Sequence, residues 1–466
     1  MRGMDEFAEW SEGVFGDAEL GDVRRTSRLV LMAAQAVRRP SGKVSEVYDS
    51  AAERQGAYDF IESPHTESKA IGAAMAQSTA RRCAEYDWVY VPIDGTSVKV
   101  WDGTSGRKDF GAIGTYTNGA TGVKVNNALA LTPDGVPVGM AAQVWWSRPR
   151  KRAKKHTHRN RQPLDQKETQ HLITCIDQVL ESFAKHAPNT KCWFQMDRGC
   201  DAHYVLVHLA KSGHFFTVRS QSLRRMLSGR RKAWVKETVR KEPVLGEFLL
   251  DLPEAESRPA RRAKIVVRAK HVTLRLRDRW KTKSIDLPVN VVLVQEEGRG
   301  RNRVDWLLLT NQPTSTYEEV MAVVHGYTQR WRIEELHKTW KTGACNVESA
   351  QLHTSERVIR WATLLIAVAA RIERLKRLAR SSPDLSAAEE LTSSEIEALV
   401  LLKCRRKKKN EQISESPTIA EATLWIAELG GYTGKSSGGP PGSITIARGL
   451  ERLGIAAEIV ALQKLR

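Results

Sequence analysis

Cysteine is sparse in this sequence, and its spacing argues against one common kind of metal site. The six cysteines lie at positions 83, 175, 192, 200, 345 and 404 of the 466 residues, and no two of them form a CxxC pair. Structural zinc sites usually contain closely spaced thiolate and imidazole ligands, so we do not expect one here. We expect the cysteines to be small buried hydrophobes of a protein in the reducing cytoplasm.

Long apolar runs and internal repeats are also missing. The longest apolar stretch, Trp361 to Ala370, is too short to span a bilayer. The N-terminal MRGMDEFAEW lacks the apolar segment of a signal peptide. No repeat indicates a solenoid. We therefore expect neither secretion nor a membrane partner.

Acidic residues are outnumbered, with 54 Asp and Glu against 73 Lys and Arg, which gives a formal net charge of +19. A large positive excess favours an anionic polymer as partner, because phosphate contacts release counterions. The composition, 41% hydrophobic and 27% charged, is that of a globular protein. The length favours two or three domains.

The N-terminal part, residues 1–75, has the pattern of helices. Between Asp17 and Arg39 apolar residues recur at helical spacing, and Arg24, Arg25 and Arg28 lie on the other side. Such a basic face is either simply solvated or contacts DNA.

The pattern then changes to that of a mixed α/β domain, at about residues 76–375. Trp88 to Ile93 is an apolar run that meets an Asp94-Gly95 turn, and Lys191 to Met196 is a strand that ends at Asp197. Further predicted strands are Val123 to Leu131, Val136 to Trp145, His214 to Arg219 and Trp306 to Thr310, the first two in an antiparallel meander with the run at Trp88. Predicted helices are Gln166 to His186, Tyr317 to Lys341 and Ser355 to Arg380.

Two irregular regions interrupt this domain. The very basic stretch 148–161 is predicted to be a mobile loop. Residues 222–300 alternate basic turns with β-rich runs and are predicted to be an inserted β subdomain. Residues 376–466 are predicted to form a helical C-terminal domain.

Three acidic residues stand out by their position. Asp94 and Asp197 each end a predicted strand, where side chains project into the cleft of an α/β sheet, and Glu334 lies on a helix. Carboxylate oxygens are the ligands that Mg²⁺ prefers, and two such ions can promote phosphodiester cleavage. Taken singly, each Asp is more often a turn residue, and a lone helical Glu is usually a surface residue or an ion-pair partner.

The helix that carries Glu334 is more informative. At about 100° per residue, Tyr327, Arg330, Glu334, Lys338 and Lys341 share one face. A carboxylate with a phenol and three cations on its own stripe is suited to holding a metal while its neighbours grip phosphates. The alternative is a surface helix with Arg330–Glu334–Lys338 ion pairs.

The segment Tyr327 to Gly343 (YTQRWRIEELHKTWKTG) closely resembles the Y-(2)-R-(3)-E-(6)-K signature of the insertion-sequence-four family of cut-and-paste DDE transposases, and of its Tn-five type in particular. The resemblance extends over nearly the whole chain. Its other segments are LGDVRRTSRL at 20–29, QGAYDFI at 55–61, IDGTS at 93–97, WWSRP at 145–149, MDRGCD at 196–201, and the tail positions Leu429 to Tyr432 and Pro441-Gly442.

This resemblance implies an RNase H-like catalytic core in which Asp94, Asp197 and Glu334 hold two divalent ions, Mg²⁺ with Mn²⁺ as a substitute. It implies that Arg24, Arg25 and Arg28 contact the transposon ends, which are double-stranded DNA, and that the C-terminal domain forms a homodimer. Near the scissile phosphate it places Tyr327, Arg330 and Lys341, with Trp306 stacked on a flipped base and Arg219 beside it. From the residues alone, a core tryptophan on a strand is the preferred interpretation of Trp306.

The reaction implied is phosphoryl transfer in the bacterial cytoplasm. Water nicks each transposon end, the freed 3′-hydroxyl makes a hairpin with the opposite strand, a second water opens it, and the 3′ ends attack target DNA. Two alternatives stay open: an RNase H-like nuclease that cuts without joining, and a non-catalytic DNA-binding protein derived from a transposase. The basic loop 148–161 and the weaker match of the insertion and the C-terminal region depart from the family pattern.

Overall fold

The protein was analysed as a computed structural model, which describes residues 6–100, 107–114, 119–149, 164–221, 225–228, 231–252, 254, 259–277, 284–298, 302–406, 412–434 and 439–464. The helices are α1 (Glu6–Phe15), α2 (Val23–Arg38), α3 (Val44–Val47), α4 (Ala51–Glu62), α5 (Ser68–Cys83), α6 (Thr169–His186), α7 (His203–Lys211), α8 (Val235–Arg240), α9 (Tyr317–Gln329), α10 (Trp331–Lys341), α11 (Ser355–Ser381), α12 (Ser393–Arg405), α13 (Ile419–Leu429) and α14 (Ser443–Lys464). The strands are β1 (Trp88–Lys99), β2 (Gly111–Ala112), β3 (Thr121–Leu131), β4 (Pro137–Trp146), β5 (Lys191–Met196), β6 (Phe215–Arg219), β7 (Arg225–Ser228), β8 (Arg231–Trp234), β9 (Gly246–Leu252), β10 (Arg261–Arg277), β11 (Ser284–Glu296) and β12 (Asp305–Thr310).

The N-terminal region is helical, as predicted, but α2 begins later than the sequence pattern indicated. Asp22 has an extended backbone, and its side chain accepts a hydrogen bond from the backbone N–H of Arg24 at 2.9 Å. This is the geometry of a helix N-cap, which fixes the first helical residue at Val23. The helical spacing seen between Asp17 and Arg39 therefore includes a segment that precedes α2.

The central sheet has the strand order expected of an RNase H-like core. Neighbouring strands run β4–β3–β1–β5–β6, with β3 antiparallel to both β1 and β4, and with β5 and β6 parallel to β1. Helix α6 connects β4 to β5 and packs against β3 and β4. The predicted meander and the predicted mixed α/β core are thus confirmed.

The predicted β insertion is not separate from this sheet. Strand β12 pairs with β6, β11 pairs with β12, and β10 pairs with β11 in one hydrogen-bonded series. The long β10–β11 hairpin therefore extends the catalytic sheet, and β7, β8 and β9 attach to it through β10. The predicted insertion between β6 and β12 is β-rich, and its hairpin continues the core sheet through β11 and β12.

Apolar side chains cover both faces of the sheet. Along β1, Val89, Val91 and Ile93 belong to one buried cluster and Tyr90 belongs to the other. This follows from the period of two along a strand, which sends successive side chains to opposite faces. Helices α6 and α7 cover the first face, and α9, α10 and α11 cover the second.

Helix α11 joins the sheet to the rest of the protein. Its Trp361 indole donates to the carbonyl of Gly42 at 3.0 Å, and Arg360 donates to the carbonyl of Ile61 at 2.7 Å. Further along, α11 packs against α13 and α14. The N-terminal helices, helix α10 and the C-terminal helices therefore all pack against α11.

Five of the six cysteines are buried and free, as predicted, whereas Cys404 is free but exposed near the end of α12. Among the described residues, no helix combines the length and apolarity that a membrane crossing needs. Most of the basic stretch 148–161, which was predicted to be a mobile loop, lies outside the described residues, because the described range ends at residue 149.

Candidate active site

Asp94 and Asp197 lie side by side at one edge of the sheet. The parallel ladder between β1 and β5 ends with the pair Ile93 and Met196, and each aspartate is the next residue. Asp94 does not begin a turn as predicted, because β1 continues to Lys99 by pairing with β3. Only the β5 side of the ladder stops here, which leaves the two carboxylates facing the same gap.

Asp197 is held by the turn that follows β5. Its Oδ1 accepts a hydrogen bond from the backbone N–H of Gly199 at 2.8 Å and so caps the short 3₁₀ helix Arg198–Cys200. The predicted turn role and a site role therefore coexist at this residue.

Glu334 reaches the site from α10, which is a separate helix from α9. The predicted single helix is interrupted at Arg330, whose backbone N–H bonds to the carbonyl of Tyr327 at 3.1 Å, three residues back. This tight turn replaces the usual bond to the fourth residue back. The Arg330 guanidinium donates to Glu334 Oε1 at 3.0 Å, so the Arg330–Glu334 ion pair predicted as an alternative is present.

The three carboxylates act on one another electrostatically. Burial raises the pKa of Asp94 to about 7; Arg330 opposes this shift, and the negative charges of Asp197 and Glu334 add to it. A divalent cation would relieve this repulsion, and carboxylate oxygens are suitable ligands for a hard ion. The donor chemistry therefore fits Mg²⁺.

The side-chain arrangement is not that of a preformed metal cage. Among the described residues, no three Asp, Glu, His or Cys side chains are grouped closely enough to hold a metal ion. Glu334 is engaged by Arg330 and Asp197 by its own turn. The bond to Arg330 uses one oxygen of the Glu334 carboxylate, Oε1.

The other cations of the predicted face differ in their surroundings. Arg330 is 9% exposed, whereas Lys338 is exposed. Lys341 donates to Thr96 Oγ1 at 3.3 Å and lies 3.4 Å from Glu348 Oε1. Arg330 and Lys341 thus border the acids, and Lys338 is open to solvent.

An aromatic pair lies beside this cluster. The rings of Trp306 and Tyr327 are 5.2 Å apart in an edge-to-face arrangement, and Trp306 is half-buried. Burial raises the pKa of Tyr327, while Arg330 and a hydrogen bond from Arg219 oppose the shift. Arg219 also donates to the carbonyl of Asp305 at 3.4 Å. Arg219, Trp306 and Tyr327 are far apart in the sequence, and the structure brings them together, as predicted.

Two family models match the chain in the same order as these features. The model described as "Transposase DNA-binding" matches residues 7–66, and the model described as "Transposase DDE domain" matches residues 146–370. Together they cover more than half of the sequence. The chain belongs to the DDE transposases. A DDE domain implies a metal-dependent DNA nuclease and strand transferase, which confirms the predicted enzyme class.

The matched ranges bear differently on the site residues of this transposase. Asp197 and Glu334 lie inside the DDE domain match, and Asp94 precedes it. We include Asp94 in the candidate site because it lies beside Asp197 at the end of the β1–β5 ladder and because the charges of Asp197 and Glu334 raise its pKa. The finer assignment to the insertion-sequence-four family is consistent with both matches and stays a prediction.

The three arginines predicted to contact transposon ends lie within the DNA-binding match, on α2. Arg24 is 88% exposed and pairs with Asp22 at 2.9 Å, and Arg28 is exposed. Arg25 instead donates to the carbonyl of Leu20 at 2.7 Å and fastens the segment before the helix. Arg24 and Arg28 are thus the more accessible members of this set.

One residue of the site was missed by the sequence analysis. His337 is 7% exposed, with its Nδ1 3.8 Å from Asp94 Oδ2 and its Nε2 3.0 Å from Asn127 Nδ2. Burial, with smaller contributions from the nearby Lys341 and Arg330 charges, lowers its pKa to about 3, so the ring is neutral. A signal existed: His337 shares the inward side of α10 with Leu336 and Trp340.

Proposed function

We propose that this transposase nicks double-stranded DNA at transposon ends, passes through a hairpin intermediate and joins the 3′ ends to target DNA. We assign Asp94, Asp197 and Glu334 as the carboxylates that hold its divalent ions. The observation that carries this assignment is the coupling of all three acids at the β1–β5 edge, expressed in the raised pKa of Asp94. We take the ions to be two Mg²⁺, for which Mn²⁺ can substitute; when bound they would activate the attacking oxygen and stabilise the leaving oxygen.

The cations of the site suit the handling of phosphates. Arg330 is nearly buried and its charge is balanced by Glu334 while that ion pair lasts. If Glu334 turns to a metal ion, the guanidinium is freed for a phosphate oxygen, which it can grip with two hydrogen bonds. Lys341 beside Thr96, and the exposed Lys338, extend the positive surface along α10. Positioning of this kind dominates the catalysis of phosphoryl transfer.

The C-terminal helices support a homodimer. Helix α14 buries one side, and on the other Ile444, Ile455, Ile459 and Leu462 are 45%, 62%, 55% and 58% exposed. Ile455, Ile459 and Leu462 recur at helical spacing and form a short exposed apolar stripe, from which Ile444 is separated by Arg448 and Glu451. An apolar stripe of this kind fits the same stripe of a second chain, which would bring two transposon ends together.

The experiment that tests this function uses DNA ends that have already been cut. With Mg²⁺, the protein should join such ends to a target plasmid, and EDTA should stop the reaction. The joining complex should contain two chains and two ends by light scattering. A plain nuclease would nick intact ends yet leave pre-cut ends unjoined, and a non-catalytic DNA-binding protein would do neither.

The arginines of α2 give a second test. Replacing Arg24 and Arg28 by Ala should weaken binding to end DNA, each lost phosphate contact reducing the slope of log affinity against log salt by about one unit. Gel-shift titrations at several salt concentrations measure this slope. The matched control is Arg25→Ala, which we expect to lower the melting temperature more than the slope, because its guanidinium bonds to Leu20. An unchanged slope for the double variant would place end recognition elsewhere.

A further inference from the structure

A row of polar side chains crosses the sheet towards Asp94. In the pairing of β1 with β3, Asp94 lies opposite Asn127, and in the pairing of β3 with β4, Asn127 lies opposite Gln143. Residues opposite each other in neighbouring strands point to the same face, so the three side chains form one line. Asn127 is completely buried, and a buried amide is costly unless its hydrogen bonds are made.

Hydrogen bonds link Gln143 to Asn127 within this line, and they continue from Gln143 to Thr363 and from Asn127 to His337. The Trp145 indole donates to Thr363 Oγ1 at 3.2 Å, and the Thr363 hydroxyl donates to Gln143 Oε1 at 2.8 Å. Gln143 Nε2 donates to Asn127 Oδ1 at 3.0 Å, and Asn127 Nδ2 lies 3.0 Å from His337 Nε2. Strands β3 and β4 and helices α10 and α11 each contribute to this chain.

The chemistry of its two ends fixes the direction of the chain. An indole N–H can only donate, so the Thr363 oxygen accepts and its single hydrogen is left for Gln143. At the other end the Asn127 amide nitrogen can only donate, so His337 Nε2 accepts. The neutral ring then carries its hydrogen on Nδ1, the atom that faces Asp94 Oδ2.

We propose that His337 is a positioning residue for Asp94. Its Nδ1–H, held by the buried chain that starts at Trp145, orients one carboxylate oxygen of Asp94 and leaves the other for a metal ion. The separation of 3.8 Å is beyond hydrogen-bond length, and a small closure of α10 onto β1 would complete the contact. This inference rests on the proposed role of Asp94.

The alternative is that His337 merely fills space next to Trp340, whose ring centroid is 6.5 Å away. A leucine could fill the same space, and it would not need a chain of buried polar side chains from two strands and two helices to satisfy its hydrogen bonds. A residue that orients a metal ligand typically hydrogen-bonds to the ligand side chain and does not itself contact the metal ion.

Two substitutions separate these readings, because Asn and Gln imitate different ring nitrogens. His337→Asn can keep an amide N–H near the position of Nδ1, whereas His337→Gln reaches the position of Nε2 and loses the donor to Asp94. We expect His337→Gln to raise the Mn²⁺ concentration for half-saturation by roughly 10–100-fold, and His337→Asn to stay close to the unchanged protein. The readout is Mn²⁺ binding by electron paramagnetic resonance with the full chain and uncleaved end DNA, together with the Mn²⁺ dependence of nicking.

His214→Gln is the matched control, since Nδ1 of His214 accepts a hydrogen bond from the backbone N–H of Cys192 at 3.0 Å, and Gln, which imitates Nε2, loses that acceptor. It should lower the melting temperature without moving the Mn²⁺ midpoint. Unchanged Mn²⁺ binding by His337→Gln would overturn the inference, and so would equal losses in both His337 variants that follow their melting temperatures. Asp94→Asn, measured alongside, tests the foundation: normal Mn²⁺ binding and cleavage by that variant would refute the role of Asp94 itself.

Discussion

Replacing Asp94, Asp197 or Glu334 by its amide is expected to reduce cleavage of transposon ends on the order of 10³-fold or more, while binding of end DNA is retained. The amide keeps the shape of the side chain and removes the charge that a divalent ion needs. Single-turnover nicking of a labelled end, with binding followed by gel shift in EDTA, measures both effects.

Asp94→Asn has a second expected result, on stability. Burial and the negative charges of Asp197 and Glu334 raise the pKa of Asp94 from 3.8 to about 7, so the folded protein loses stability as the pH rises between these two values, and the full cost remains above pH 7. The amide removes this cost, and the melting temperature in EDTA at pH 8 should be unchanged or higher. Loss of activity with retained or increased stability is typical of residues kept for function.

Glu335→Gln is the matched control for Glu334→Gln. It lies one position along α10 and pairs with Arg332 at 2.9 Å, as Glu334 pairs with Arg330 at 3.0 Å. Both variants lose one ion pair, so a similar fall in melting temperature is expected, and only Glu334→Gln should lose cleavage. Normal cleavage by any one of the three amide variants would remove that acid from the proposed metal site.

Local pattern was enough to predict most elements of the core. Strand β5 lies where its apolar run predicted, from Lys191 to Met196, and Asp197 ends it. The grouping of Asp197 with Glu334 and Tyr327 came instead from the resemblance to a transposase family, because no periodicity links residues so far apart. Motif spacing was enough to name the candidate site residues. Their relative positions could be described only once the pairing of the strands was known.

The missed features all depend on pairing between distant segments. Strand β1 continues past Asp94 because β3 runs beside it, and the insertion joins the core because β12 pairs with both β6 and β11. The buried role of His337 depends on Asn127, which comes from another strand. A single sequence does not show which distant strand pairs with a given segment. Asp94-Gly95 therefore resembles a turn in the sequence although it lies within a paired strand.

Trp306→Ala is expected to slow hairpin formation or opening roughly 10–100-fold and to leave the first nick nearly unchanged. A hairpin requires a sharply bent strand, which a captured base would stabilise, and stacking contributes about 1–3 kcal/mol per base. The half-buried ring of Trp306 packs edge-on against Tyr327, and Arg219 lies beside the same phenol. Trp306 is only half-buried, so part of its indole is accessible to a base.

A packing role for Trp306 predicts a different pattern, since a weakened core slows every step alike. Trp88→Ala is the matched control: Trp88 is also half-buried on the sheet and packs edge-on against Tyr90 at 4.7 Å, at the end of β1 away from the acids. Both variants should melt at lower temperature, whereas Trp306→Phe should restore part of the hairpin rate. Time-resolved gels of nicked, hairpin and resolved ends distinguish the cases. If Trp306→Ala and Trp88→Ala slow all steps equally and in proportion to their melting temperatures, Trp306 is a packing residue and base capture must be assigned to another side chain.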